Sequence, residues 1–391
     1  MRAMKDRFRG CLLGGAAGDA LGYTVEFWDE SQIRRHFGAE GIRRYVLRGE
    51  YAIISDDTQM TLYTANGLLC GAVEKGSEDT YINCIYRCYL DWLDTQERAD
   101  LRPREGKIAW LNRIGRLNVR RAPGNTCLGA LQCGTAGSIQ HPLNNSKGCG
   151  GVMRTAPIGL LFTDEGVCQR LGAKAAALTH GHALGYLPAA LLSDMVYLLV
   201  NGECDTVREA AARALQTLRR EFADECDLQT MIELIERAVS LADSDLPDVG
   251  AIHKLGEGWV GDEALAIAVY CAVKYENDFE GCLRAAVNHC GDSDSTGAIA
   301  GNILGAKLGL AGIPEYYLEN LELREEIQSM ADDLFEARRT LDGAEAAYDW
   351  TEKYRTAKPD QAPEESKNAE EDKSGSITDD ILKRLLEKWI K

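Results

Sequence analysis

The segments Ser55-Asp56-Asp57-Thr58 and Asp292-Ser293-Asp294-Ser295 each set two carboxylates beside a hydroxyl, just ahead of an apolar run with helical spacing. Carboxylate and hydroxyl oxygens are ligands for hard cations. Brought together, the two segments would form an oxygen-only cage of four carboxylates and two hydroxyls, suited to Mg²⁺ or Mn²⁺ and not to zinc. They lie far apart in the chain, so only the fold can unite them. The plain alternative is a helix start, where Ser or Asp caps and acids are favoured by the helix dipole. A cap explains one carboxylate well. It explains a crowded pair less well, because adjacent like charges repel unless something positive neutralises them.

Three further segments carry candidate chemistry. Asn144-Asn145-Ser146-Lys147-Gly148-Cys149-Gly150-Gly151-Val152-Met153-Arg154 holds three glycines in four residues. Such a segment lets backbone N–H groups approach an anion closely, and Lys147 and Arg154 would add charge. It also reads as a tight turn before a helix. His180, in Leu178-Thr179-His180-Gly181-His182-Ala183, stands at a junction between two helical runs. A cap, a surface position and a ligand contact are all open to it. Trp259 lies in the glycine-rich turn before a helix and either covers a flat ligand or plugs the core. No strand-linked phosphate loop, dinucleotide fingerprint or nucleophile elbow occurs in the chain.

The elements that must position these residues are helices. Apolar residues recur at three and four over 56–75, 79–94, 166–179, 184–200, 205–222, 228–242, 262–276, 278–289, 295–310 and 315–340. Alternating patterns are nearly absent, with residues 43–47 the best short strand candidate. Residues 101–155 hold much of the glycine, proline and asparagine and are expected as long loops between short helices. The expected fold is a compact all-α multi-helix orthogonal bundle over residues 1–355. A flexible linker over 356–376 and a short amphipathic helix over 377–391 would follow, that helix docking on its own body, on a second copy or on a partner.

Two glycine stripes stand out. Gly10, Gly14, Gly18 and Gly22 recur every four residues, as do Gly297, Gly301, Gly305 and Gly309. Residues four apart share a helix face. A mid-helix glycine costs roughly 1 kcal/mol relative to alanine, so close backbone approach is the expected compensation. Antiparallel packing of the two stripes would bring Glu26 beside Asp292 and Asp294.

The net charge of −17 argues against tight binding to a nucleic-acid backbone. The 13 cysteines show no framework spacing, which suggests free thiols in a reducing compartment. Cys84 and Cys88 fit buried thiols better than half of a metal site. No uninterrupted apolar stretch reaches the length of a membrane span, and no signal peptide is evident. A cytoplasmic location is expected.

Taken together, five segments resemble the ADP-ribosylglycohydrolase family. They are Gly10–Glu26, Ser55–Thr61, Lys147–Arg154, Leu178–His180 and Gly291–Gly297, in the family's order. The resemblance implies an all-α fold with two divalent cations, Mg²⁺ or Mn²⁺. Carried over by motif, Ser55, Asp56, Asp57, Asp292, Asp294 and Ser295 would hold them. Many members have threonine where Ser55 and Ser295 stand, and a hydroxyl remains in both cases. Asn145, Ser146, Lys147, Gly148, Cys149 and Gly150 match the segment that wraps the diphosphate of ADP-ribose. His180, Trp259 and Val260 match ligand-contacting positions.

The implied reaction cleaves the bond between the ribose and a protein side chain, most often an arginine guanidinium, with Glu26 or Asp56 as acid or base. An ADP-ribosylated protein or ADP-ribose conjugate would be the partner. The form of Ser55–Thr61 and the presence of Glu26 resemble the arginine-directed branch. Alternatives are another linkage (serine, nucleobase or a free ADP-ribose derivative) or a non-catalytic ADP-ribose binder, because the family also includes lens crystallins.

Overall fold

The computed structural model describes residues 2–96 and 106–355. The amphipathic segment and linker expected over 356–391 lie outside these residues. The described residues form fifteen α-helices and no strand. In chain order they are α1 (Arg2–Gly22), α2 (Glu30–Phe37), α3 (Asp56–Glu74), α4 (Glu78–Gln96), α5 (Asn125–Gln132), α6 (Ala156–Leu161), α7 (Glu165–Ala177) and α8 (Ala183–Asn201). There follow α9 (Val207–Glu221), α10 (Leu228–Leu241), α11 (Asp248–Ile252), α12 (Gly261–Lys274), α13 (Phe279–Val287), α14 (Ser293–Leu308) and α15 (Arg324–Leu341).

The centre is built from helices that are apolar all round. In α8 every residue from Ala183 to Val200 is buried, which is how a central core helix reads. By length and composition α8 would also pass for a membrane span, but here it is sheathed by α7, α9, α12 and α14. Peripheral helices such as α9 bury one face and carry the charges outside.

The pair α1 and α14 makes the most intimate contact in the body. The two run antiparallel with their glycine stripes face to face: Gly10 against Gly305 and Gly309, Gly14 against Gly301, Gly18 against Gly297, and Gly22 against Ser293. A Cβ at any of these glycines of α1 would overlap a backbone carbonyl of α14. Asn302 adds a polar tie, donating from Nδ2 to the Cys11 carbonyl at 2.8 Å. Each missing side chain thus has a place that only backbone occupies, which accounts for the helix propensity given up.

The periodic stretches match long helices to within two residues at each end, except the last; α1 is absent from them and shows in the sequence only through its glycine stripe. The stretch 315–340 is not one helix. Residues Glu315–Tyr317 form a 3-10 turn, and α15 starts only at Arg324 after Leu323 takes a left-handed conformation (φ 60). Residues 43–47 are loop rather than strand. The helices α2, α5, α6 and α11 went unread because eight residues or fewer show too little of a 3.6-residue period. For α2 a local signal existed: Asp29 and Gln32 form a reciprocal capping box.

Gly18→Ala should cost about 1–3 kcal/mol in chemical unfolding, because the added methyl must push α1 and α14 apart. Gly129 in α5 has nothing within 4 Å of a built Cβ, so Gly129→Ala should stabilise by about 0.4–1 kcal/mol. Equal effects at the two positions would refute the role given to the close contact.

Candidate metal centre and active site

The antiparallel pair sets the end of α1 against the start of α14. After Gly22 the chain turns tightly, with the Tyr23 N–H donating to Asp19 O and the Val25 N–H to Gly22 O, both at 2.8 Å. Glu26 is thereby swung over the first turn of α14. Oxygens of Glu26, Asp292 and Asp294 lie within 4.8 Å of one another, and all three side chains are buried.

The second acidic pair is brought in by α3. The segment ahead of it is tied down by Ala52 N–H to Asn320 O (2.8 Å), Glu322 N–H to Ala52 O (3.0 Å) and Ile54 N–H to a Glu322 carboxylate oxygen (3.1 Å). Arg121 completes this anchor by donating to the other Glu322 oxygen at 3.1 Å. The buried carboxylate of Asp19 then accepts from the Ser55 N–H (2.9 Å), the Thr58 N–H (3.0 Å) and the Thr58 hydroxyl. Asp19 is therefore the latch between α1 and the N-terminus of α3.

Ser55 caps α3 by accepting from the Asp57 N–H at 3.2 Å, and its hydroxyl is also hydrogen-bonded to Asp294. Asp292 caps α14, accepting from the Ser295 N–H at 3.3 Å, and Asp294 accepts from the same group at 3.0 Å. Asp56 accepts from the Gly124 N–H at 3.3 Å. The helix-start reading and the cluster reading therefore hold together. The caps orient the acids, and two helix N-termini point their partial positive charge at them.

This concentration of acid is poorly compensated. Burial first, and then the charge of Asp294, drive Asp56 and Asp57 well above the usual carboxylate range. Burial followed by Asp294 and Asp292 does the same to Glu26. Asp292 is likewise pushed well up, Asp294 is raised, and Asp19 is lifted to about 7. One oxygen of Asp57 and one of Glu26 are buried without any hydrogen-bond partner. Unpartnered, mutually repelling buried oxygens are what a hard cation satisfies, so the donor set fits one.

The glycine-rich loop borders this cluster. Residues 147–149 run alongside 259–261: the Cys149 N–H donates to Trp259 O (3.2 Å) and the Gly261 N–H to Lys147 O (2.7 Å). The Cys149 thiol is hydrogen-bonded to Asp292 and Ser295. The N–H groups of Ser146 and Gly148 donate to the Asn144 and Ser146 side chains, so an anion would meet the other donors of the segment. Lys147 reaches Asp262 at 3.5 Å.

Arg154, expected as a possible anion contact, points the other way. Its guanidinium is buried over the Tyr89 ring and donates to the Thr179 hydroxyl at 2.6 Å. His180 is neither a surface residue nor a helix cap. It is buried beneath the glycine loop, with Nδ1 2.8 Å from the Thr179 hydroxyl, and a Cβ on Gly148 would come within 3.3 Å of its Nε2. Burial and the nearby Arg154 lower its pKa to about 3, so it is neutral.

Trp259 does not plug the core. It is 39% exposed and stacks on Phe27, itself 64% exposed, with ring centroids 5.8 Å apart. Val260 caps α12 behind it. Phe27 follows Glu26 directly, so this aromatic pair stands at the rim of the acidic cluster.

Asp19, Glu322 and Phe27 escaped the sequence reading. The first had a signal: a lone acid inside the glycine and alanine run of α1 must find a buried partner. Glu322 and Phe27 had none, since their roles rest on contacts across the chain.

These raised carboxylates bind protons more tightly folded than unfolded, where they titrate near about 4. Their stabilising contribution is complete below that pH and is lost as pH rises through the raised values, Asp19's about 7 among them. Ion-free protein should therefore lose thermal stability as pH rises from about 4 through about 7. Mg²⁺ or Mn²⁺ should raise the unfolding midpoint more at about pH 8 than at 5. Asp57→Asn should raise the ion-free midpoint and shrink the ion-induced gain. A flat ion-free profile would remove the charge-repulsion account.

Comparison with known proteins agrees with the resemblance. The ADP-ribosylglycohydrolase family model matches residues 1–343. ADP-ribosylhydrolase ARH3 of Homo sapiens is 25% identical, over 84% of this chain and 92% of its own length. The ADP-ribosyl-[dinitrogen reductase] glycohydrolase of Rhodospirillum rubrum is 27% identical, over 83% and 93%. The ADP-ribosylarginine hydrolase Tri1 of Pseudomonas putida (strain GB-1) is 26% identical, over 87% and 81%. A solved structure titled "ADP-ribosylglycohydrolase-related protein complex" superposes with a TM-score of 0.58, at 24% identity, over 86% of this chain and 100% of that one, and shows the shared fold. With this fold, this family match and a buried acidic cluster at the meeting of α1, α3 and α14, the chain belongs to the ADP-ribosylglycohydrolase family, whose members are hydrolases of ADP-ribose glycosidic linkages.

Proposed function

We propose that this enzyme removes ADP-ribose from modified protein side chains, arginine foremost, with two Mg²⁺ or Mn²⁺ ions held by Ser55, Asp56, Asp57, Asp292, Asp294 and Ser295. The observation that carries the reading is the convergence of both acidic pairs and Glu26 in one buried cluster. The arginine linkage is supported by Ser55–Thr61, by Glu26 and by a relative named for ADP-ribosylarginine. The 13 free thiols support a cytoplasmic location.

When bound, the ions supply Lewis acidity and neutralise the crowded carboxylates. The chain's own residues do the rest. Glu26 and Asp56 are the acid–base pair: burial and the neighbouring acids raise both, which favours a form that can hold and release a proton. One takes a proton from the attacking water as its oxygen bonds to the ribose anomeric carbon. The bond from that carbon to the guanidinium nitrogen breaks, and the nitrogen receives a proton.

The transition state develops positive charge on the ribose ring, which a carboxylate-lined site favours. The Asn145–Gly150 segment receives the diphosphate, with Lys147 at its side, and His180 supports that segment from beneath as a neutral imidazole. Trp259 and Val260 border the same opening, where the exposed indole offers a flat ligand a stacking face.

The decisive experiment is release of ADP-ribose from defined arginine, serine and free conjugates under Mg²⁺ or Mn²⁺, with a chelator control. Arginine conjugate should be cleaved fastest, and chelation should stop turnover. Asp57→Ala and Asp294→Ala should each lower kcat at least 100-fold while the protein stays folded. Binding without hydrolysis under either ion would instead favour an ADP-ribose binder, and preference for the serine conjugate would overturn the arginine assignment. Removing residues 356–391 should leave hydrolysis of a small conjugate unchanged.

A further inference from the structure

A second cluster of metal-binding side chains stands next to the acidic centre and differs from it in chemistry. Glu30, His253 and Cys290 each offer one donor atom, and the three atoms lie within 4.8 Å of one another. His253 Nε2 is the hub. It is 2.6 Å from a Glu30 carboxylate oxygen and 3.6 Å from the Cys290 sulfur. The residues come from three separate segments: the first turn of α2, the end of α11 and the loop just before α14.

Without an ion the Cys290 thiol is hydrogen-bonded to both Glu30 and His253, so all three donor atoms already converge on one point. Imidazole, thiolate and carboxylate together are the donor types of zinc, and the thiolate excludes Mg²⁺ as the preferred ion. A tetrahedral zinc ion holds its ligand atoms about 3.3–3.8 Å apart. The observed 2.6 and 3.6 Å spacings reach that range with side-chain movements of about 1 Å. Glu30 and Cys290 are half-buried and His253 is exposed beside an open groove lined by Trp259 and Glu263, so an ion can enter from solvent.

We propose that Glu30, His253 and Cys290 form a zinc-type site, distinct from the acidic cluster, with a fourth coordination position open to water or an external ligand. On binding, the Cys290 thiol gives its proton to solvent as the sulfur–metal bond forms. Glu30 lies four residues after Glu26, and Cys290 two before Asp292. A bound ion therefore staples together the two segments that carry Glu26 and Asp292. The proposal stands on this geometry and does not depend on the hydrolytic reading.

The test is titration of the full chain with Co²⁺, then Zn²⁺, in excess Mg²⁺ and a thiol-free reductant. One equivalent of Co²⁺ should produce a thiolate-to-cobalt charge-transfer band that Zn²⁺ displaces and excess Mg²⁺ does not. Cys290→Ser should abolish the band, and His253→Asn should weaken Co²⁺ binding on the order of 100-fold or more. The exposed thiols Cys133 and Cys226 are the control: the band should persist when both are changed to Ser. Zn²⁺ should also raise the thermal midpoint of the unsubstituted chain but not of either ligand variant. Absence of the band, or its survival in Cys290→Ser and His253→Asn, overturns the site.

Discussion

The backbone contact between α1 and α14 is the constraint on which the site rests. Glycine faces glycine over three successive turns and Gly22 faces Ser293 at the next, so the two helices approach until carbonyl oxygens occupy the space of side chains. That approach is set by excluded volume, which leaves it little freedom to slide. It aligns the end of one helix with the start of the other, and the turn after Gly22 then has Glu26 over Asp292 and Asp294. Few other packings would hold three acids from opposite ends of the chain so close with so little machinery.

The electrostatic consequence is a store of repulsion that the protein partly offsets by design. Backbone N–H groups donate to Asp19, Asp56, Asp292 and Asp294, and the Ser55 hydroxyl is bonded to Asp294. They do not satisfy every oxygen: one of Asp57 and one of Glu26 stay without a partner. Stability and function meet here. The residues that most destabilise the ion-free fold at neutral pH are those with the best claim to hold a cation and move a proton.

Around this centre the polar groups divide by what surrounds them. Arg154 ends the glycine-rich segment and His180 stands at a helix junction, each open in sequence to a ligand contact, yet both serve the interior: one stacks on Tyr89, the other supports the loop. Trp259 and Phe27, which look like core residues, are instead exposed at the rim. Residue type predicted the kind of contact each side chain can make and not its direction, because direction depends on segments far away in the chain.

The chain by itself determined the helical class, the extents of most of its long helices, the pairing of the glycine stripes and the two acidic pairs with Glu26. All of these follow from periodicity, from the cost of glycine in a helix and from the repulsion of adjacent acids, which are properties of neighbours in sequence. Only the tertiary structure decided that Asp19 latches α3, that Glu322 anchors the segment before it, that Arg154 turns inward, and that Glu30, His253 and Cys290 meet. Those outcomes depend on distances between residues that share no local pattern, and such distances exist only once the core has closed.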